Sequence, residues 1–281
     1  MLKKSILVLI TLVLISCDQR NPSTADEINL KLFVFDCGSL KLDDIGNFSL
    51  KNTDTTIREL FVPCYLVDHP HGKLIWDAGL PLDIVGKGKI KRPNGIEIFY
   101  GNSLADQMKE IGVSPNEVDY IAISHMHWDH VGASPLFAKS TLLIQKPEYE
   151  AAFNNPDSYS VFNFDDYSSL SKNKRILLDG DYDVFEDGSV TILSAPGHTP
   201  GHQVLMVKLK EEGTIILSGD LYHFEASREL KAVPVFNTDK QQTLKSMDKI
   251  ETVIEKENAV FWIEHSKELA DKLKLSPDFY D

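Results

Sequence analysis

Ser124-His125-Met126-His127-Trp128-Asp129-His130 places three imidazoles and a carboxylate directly after the apolar run Tyr120–Ile123. Alternate side chains of extended backbone project to one side, so His125 and His127 point together. Asp129 and His130 follow the turn and face a second position. Imidazole and carboxylate without thiolate suit zinc, and also iron, manganese or cobalt. An isolated His-x-His carries little weight. Its weight here comes from three further places of the same construction. Val190–Leu193 runs into Ala195-Pro196-Gly197-His198, Thr214–Leu217 into Ser218-Gly219-Asp220, and Ala259–Ile263 into Glu264-His265. Each is a short apolar run of strand character that delivers a ligand-type side chain at its C-terminal end. Four such ends on one rim bring His125, His127, Asp129, His130, His198, Asp220 and His265 to one cleft. Histidines placed for core or surface reasons do not group in this way.

The rest of the chain supplies a frame for that rim. Strand-like runs cover Leu30–Phe35, Phe61–Val67, Lys73–Trp76, Thr141–Ile144 and Gln203–Leu209. A helix is expected over Leu104–Ile111, capped by Asn102-Ser103 and stopped by Gly112. A second is expected over Asp239–Lys256, with Thr238 as N-cap and apolar Leu244, Met247, Ile250 and Ile254 at helical steps. No repeat or internal linker interrupts this pattern, so residues 29–281 read as one α/β domain.

The start of the chain reads differently. Lys3 and Lys4 precede Ser5–Ile15, an uncharged apolar run that is short for a bilayer span and built like the core of a secretory signal. Leu14-Ile15-Ser16-Cys17 resembles the lipobox of bacterial lipoproteins. That resemblance implies a leader over 1–16, acylation of Cys17, a polar tether over 17–28, and a lipid-anchored exported protein; the alternative is secretion without lipid. The 281 residues are 42% hydrophobic and 25% charged, ordinary for a globular chain with a full-sized core. Net charge is −13, and −15 once Lys3 and Lys4 leave with the leader. Such a surface repels nucleic acid and anionic lipid head groups. An exported protein can pair Cys37 with Cys64; the expectation here is two buried thiols.

With these motifs in place, the chain resembles the metallo-β-lactamase superfamily from Leu30 to His265. The resemblance implies an αβ/βα sandwich with a cleft for two divalent ions, zinc by expectation, on the sandwich edge. It assigns His125, His127 and His198 to one ion, Asp129, His130 and His265 to the other, and Asp220 as the bridge. YLVDHPHGKLIWDAG (65–79) is similar to an early strand pair of that family, which makes Asp77 the residue that orients a histidine ligand. Within the superfamily, SHMHWDHVG (124–132), QKPEYEAA (145–152) and LSAPGHTPGHQVL (193–205) resemble the N-acyl-homoserine lactonases. The implied reaction is ring opening of an acyl-homoserine lactone by water, with Asp129 able to shuttle the proton. Two divalent ions in such a site activate water at neutral pH and polarise a carbonyl.

Alternatives are a hydrolase of another ester, a thioester or a β-lactam, and a metal-binding lipoprotein without catalysis. Many such lactonases carry a tyrosine three residues after the bridging aspartate. Here His223 occupies that offset and Tyr222 stands one position early. His223 is expected to take the role, because offset fixes direction more firmly than residue type. His202 is expected to support its loop, and His69 and His71 to face solvent around Pro70. Ile96–Tyr100, Phe153 and Phe224 are candidates for the wall along the acyl tail.

Overall fold

Strand pairing follows the apolar runs. The computed structural model describes residues 29–159 and 162–281, so the expected leader, Cys17 and the tether lie outside the described residues. Strands β1 (Lys31–Lys41), β2 (Glu59–His69) and β3 (Gly72–Trp76) form an antiparallel meander. β4 (Ile90–Lys91) and β5 (Glu97–Phe99) extend it beyond β1. β6 (Tyr120–Ala122), β7 (Thr141–Gln145) and β8 (Arg175–Leu178) extend it beyond β3 as parallel strands. The second sheet contains β9 (Tyr182–Asp183), β10 (Val190–Ser194), β11 (Gln203–Leu209), β12 (Gly213–Leu217) and β13 (Val260–Trp262). Its order is β13-β12-β11-β10-β9, with only β13 and β12 parallel.

Side-chain alternation sorts the core into layers. Tyr65, Val67, Leu74 and Trp76 of the first sheet pack against Ile192, Leu205, Val207, Ile215 and Leu217 of the second. Cys64 and Leu66 turn the other way, toward Leu104, Met108, Phe137 and Tyr167. Val204, Met206 and Ile216 turn toward Met247 and Ile250 of the helix Lys240–Glu257. Strands buried on both faces lose the polar alternation of a half-exposed strand, which is why they read as unbroken apolar runs. The layers are helix, sheet, sheet, helix: the αβ/βα sandwich that the sequence leads one to expect.

Helix ends follow local chemistry. Ser103 accepts the Asp106 N–H at the start of Leu104–Glu110, and Gly112 at φ +74° follows its end. The long helix starts one residue later than the sequence suggests. Asp239, not Thr238, caps it by accepting the Gln242 N–H. The Thr238 hydroxyl is committed elsewhere, donating to the His198 carbonyl at 3.2 Å.

Two expectations are corrected. Cys37 and Cys64 are buried but joined in a disulfide, with Cα atoms 5.9 Å apart. Cys64 stands opposite Phe35, and a register shift between Asp36 and Ser39 sets Cys37 beside it, a proximity that the spacing of the two residues does not reveal. His69 is buried, stacked on Phe185 and 3.0 Å from Asp187, while His71 is exposed as expected. The His71 N–H donates to His69 Nδ1, so His69 Nε2 is the nitrogen that donates to Asp187. Among the described residues no helix is long and apolar enough to cross a membrane.

Candidate metal centre

Four strand ends meet at one edge of the sandwich. β6 leads into Ser124–His130, β10 into His198, β12 into Asp220 and β13 into His265. The structure brings together all seven candidate ligands in two groups that share Asp220. In the first, His125 Nε2 lies 2.9 Å from His127 Nδ1. His198 Nε2 is 3.1 Å from each of them, and Asp220 Oδ2 is 3.1 Å from His198 Nε2 and 3.5 Å from His125 Nε2. In the second, Asp220 Oδ1 is 2.9 Å from His265 Nε2 and 3.2 Å from His130 Nε2. Asp129 Oδ1 closes that group at 4.0 Å from His130 Nε2.

Hydrogen bonds at the backs of the rings test whether these groups suit cations. His130 Nδ1 faces Asp77 Oδ2 at 2.7 Å, His198 Nδ1 faces Asn237 Oδ1 at 2.8 Å, and His265 Nδ1 faces the Phe61 carbonyl at 2.6 Å. Carboxylate, amide and carbonyl oxygens only accept, so each takes the outer ring N–H, and in the neutral ring the lone pair lies on the inward nitrogen. His125 Nδ1 meets the Ser124 hydroxyl at 3.0 Å. Asp220 Oδ1, despite its short distances, lies outside hydrogen-bond geometry with every neighbour and is a buried oxygen without a partner. Lone pairs and a partnerless carboxylate oxygen turned on common points fit metal ions.

Electrostatics divide the two groups: His125 and His127 of the first resist protons, while Asp220 and Asp77, against burial, favour the charged His130 ring in the second. Burial, reinforced by neighbouring histidines, pushes the His125 and His127 imidazoles well below their ordinary range, so they refuse protons. Burial opposes protonation of His265 too, but Asp220 pushes it up to about 9. Burial alone would raise the Asp220 carboxyl; the ring of histidines led by His223 and His265 holds it well below the carboxylate range. The carboxylate thus draws positive charge into a centre where His125 and His127 reject protons.

Behind the ligands stands a layer of oriented groups. Asp77 accepts from the Ser124 N–H at 2.6 Å, from the Ser124 hydroxyl at 2.8 Å and from His130, the histidine ring that it orients. His202 supports its loop, donating from Nδ1 to the Ala195 carbonyl and accepting the Asp220 N–H at 2.9 Å. Glu264 accepts from the Trp76 indole and the Gly219 N–H, both at 2.9 Å. Asn237 and the Phe61 carbonyl carry no sequence signal, being far along the chain from the rings they hold.

Tyr222 and His223 diverge. The Tyr222 hydroxyl donates to Glu251 at 3.2 Å, and its ring lies in the layer under the long helix. His223 faces the centre, its Nε2 3.0 Å from Asp220 Oδ2 and its ring parallel to His265 at 5.5 Å. Burial keeps its imidazole below the ordinary range against the pull of Asp220.

A cavity of about 560 Å³ opens over His127, Asp129, Asp220, His223 and His265. Its apolar wall is Leu40, Leu42, Phe48, Leu60, Ile96, Trp128 and Phe236. Of the wall candidates read from the sequence, only Ile96 lines it. Ile98, Tyr100 and Phe224 are core, Phe153 stacks on Tyr149, and Phe99 faces outward. Alternation in β5 sends neighbours to opposite faces, and apart from Trp128 of the ligand motif the remaining wall comes from β1, β2 and two loops with no shared motif.

Comparison with known proteins agrees with this geometry. Residues 57–254 match the model of the metallo-beta-lactamase superfamily. The N-acyl homoserine lactonase AttM of Rhizobium radiobacter is 29% identical over 262 residues, covering 90% of this chain and 99% of its own. AiiA of Bacillus thuringiensis subsp. kurstaki, also an N-acyl homoserine lactonase, is 26% identical over 255 residues, covering 89% and 98%. The crystal structure of an N-acyl homoserine lactone hydrolase with N-hexanoyl-L-homoserine at its metal centre superposes with a TM-score of 0.76 at 25% identity, covering 90% of this chain and 99% of that one. Shared layers, a histidine–aspartate rim at the expected edge and a match over most of the chain make it a member of the metallo-beta-lactamase superfamily.

Proposed function

We propose that this protein is a lipid-anchored exported hydrolase that holds two divalent ions, zinc by preference, and opens the ring of N-acyl-homoserine lactones. The observation that carries the reading is the cavity: ligand side chains form its floor and apolar side chains its wall. Among the described residues no lysine or arginine lines it, and Asp43 and Asp44 stand on its border. A neutral lactone with an alkyl tail suits such a pocket, whereas the carboxylates of β-lactams and of glutathione thioesters would find no lysine or arginine on its wall and Asp43 and Asp44 at its border. The similarity to AttM and AiiA supports the same choice.

His125, His127 and His198 would hold one ion, Asp129, His130 and His265 the other, and Asp220 both. The ions supply Lewis acidity for a water molecule and an ester carbonyl. The chain supplies position and proton traffic. In the reaction the oxygen of water bonds to the lactone carbonyl carbon, the ring C–O bond breaks, and the alkoxide leaves with a proton. Asp129, at the cavity floor, is placed to take the proton from water and return it to the departing oxygen. His223 borders the cavity with its Nε2–H on Asp220 Oδ2, and it would turn that N–H to a substrate oxygen once Asp220 is engaged by the ions. Leu40, Leu42, Phe48 and Phe236 exclude water from the tail. Export follows from the lipobox resemblance, and the Cys37–Cys64 disulfide suits an oxidising compartment.

Assays run side by side on short- and long-chain acyl-homoserine lactones, nitrocefin and S-lactoylglutathione test the substrate class. Turnover of the lactones should dominate; preferential hydrolysis of either anionic substrate would overturn it.

A further inference from the structure

The stretch QKPEYEAA (145–152) contributes no candidate ligand, yet Glu148 is fully buried beside the centre. It lies in the short helix Lys146–Tyr149 at the end of β7, between the two loops that carry the first group of histidines. Its Oε1 accepts the Met126 N–H at 2.9 Å, and Met126 is the residue between His125 and His127. Its Oε2 accepts the Gly201 N–H at 2.8 Å, in the loop that runs from His198 to His202. One carboxylate therefore fastens two ligand loops that come from different sheets. Neighbouring bonds run the same way: the Gln203 N–H donates to the Ser124 carbonyl and its side chain to the Ile123 carbonyl, while Gln145 donates to the Gln203 side chain. Gly201 is shaped to this contact, since a Cβ there would stand 2.5 Å from the Glu148 nitrogen and 2.6 Å from its Cβ.

We propose that Glu148 is a positioning residue for the three-histidine metal site, setting the separation of the His125–His127 and His198 loops before an ion arrives. The proposal rests on the two-ion reading above. Asp77 does the corresponding work for the other site through His130, so the two carboxylates divide the centre between them. Glu148→Gln puts an amide N–H₂ against one of two backbone N–H groups and opens one side of the clasp. Loss of a group that orients metal ligands weakens affinity roughly ten- to a hundredfold, and the loss should fall on one ion only.

The test uses the full chain, stripped of metal and titrated with zinc against a competing chelator. Wild type should show two binding steps. Glu148→Gln and Gly201→Ala should each weaken one step about ten- to a hundredfold and leave the other at its wild-type value. Asp77→Asn should weaken the other step, and Glu148→Gln combined with Asp77→Asn should weaken both. Amide exchange in the metal-free protein supplies a second readout: Met126 and Gly201 should exchange faster in Glu148→Gln, with Ser124 unchanged. Two wild-type binding steps in both Glu148→Gln and Gly201→Ala would overturn the proposal. So would equal weakening of both steps that tracks a lowered metal-free melting temperature, the mark of a residue that only stabilises the fold. A wild type with fewer than two steps would sink the two-ion reading instead, and the exchange of Met126 and Gly201 would still decide for or against the clasp.

Discussion

Replacing Tyr222 and His223 one at a time separates residue type from position. Removing the Tyr222 hydroxyl breaks a 3.2 Å bond to Glu251, which keeps two 2.8 Å bonds from Arg228. Tyr222→Phe should therefore cost only about 0.5–1.5 kcal/mol of stability and leave turnover near wild type. His223 stands 3.0 Å from Asp220 Oδ2 and borders the cavity. Loss of a positioned donor there should lower kcat in His223→Ala by roughly ten- to a thousandfold, about 1.4–4 kcal/mol of transition-state stabilisation. The assay is steady-state opening of N-hexanoyl-homoserine lactone, read by separation of lactone from acyl-homoserine, with metal content measured on every variant. A Tyr222→Phe enzyme that is crippled while His223→Ala keeps its rate would refute the assignment. Loss of metal from His223→Ala would make the histidine a ligand instead of a donor.

Other consequences follow from single features. The disulfide closes a loop of sequence separation 27, so Cys37→Ala with Cys64→Ala should lose about 3.5 kcal/mol in chemical denaturation; an unchanged midpoint would contradict the pairing. Phe236→Ala removes part of the cavity wall and should cost about 1.5–3 kcal/mol in kcat/KM for a long-chain lactone, with little effect on a short-chain one. An equal loss for both chain lengths would remove Phe236 from the tail's path. Wild type should fractionate with membranes and take up labelled fatty acid, and Cys17→Ser should do neither; unlabelled wild type would dispose of the lipobox.

The rim was legible because strand ends carry it. A short apolar run followed within five residues by His or Asp specifies both an element and the end of it that carries the side chain, and four such runs point to one edge of a layered sheet protein. What supports the rim was partly legible. Asp77 and His202 lie in motifs, whereas Asn237 meets His198 by a contact across 39 residues that no local pattern encodes. The cavity wall was mostly illegible for the same reason, since Leu40, Leu60 and Phe236 are ordinary core-type residues until topology turns them to the cleft. Strand β8 escaped notice because an edge strand needs no apolar alternation to pair, and Arg175, Ile176 and Leu177 are all exposed. His69 misled because a histidine next to Pro70 and His71 reads as turn, while its partner Asp187 comes from the turn between β9 and β10 of the other sheet.

One centre, bridged by Asp220, would open lactones with two ions. The most direct test is metal analysis and lactone turnover measured on the same preparations of wild type and Asp220→Ala. Wild type should carry about two divalent ions per chain and open N-hexanoyl-homoserine lactone, losing activity on chelation and regaining it with zinc. Asp220→Ala should lose at least one ion and all measurable turnover. An Asp220→Ala protein with full metal content and full lactone turnover would contradict the account.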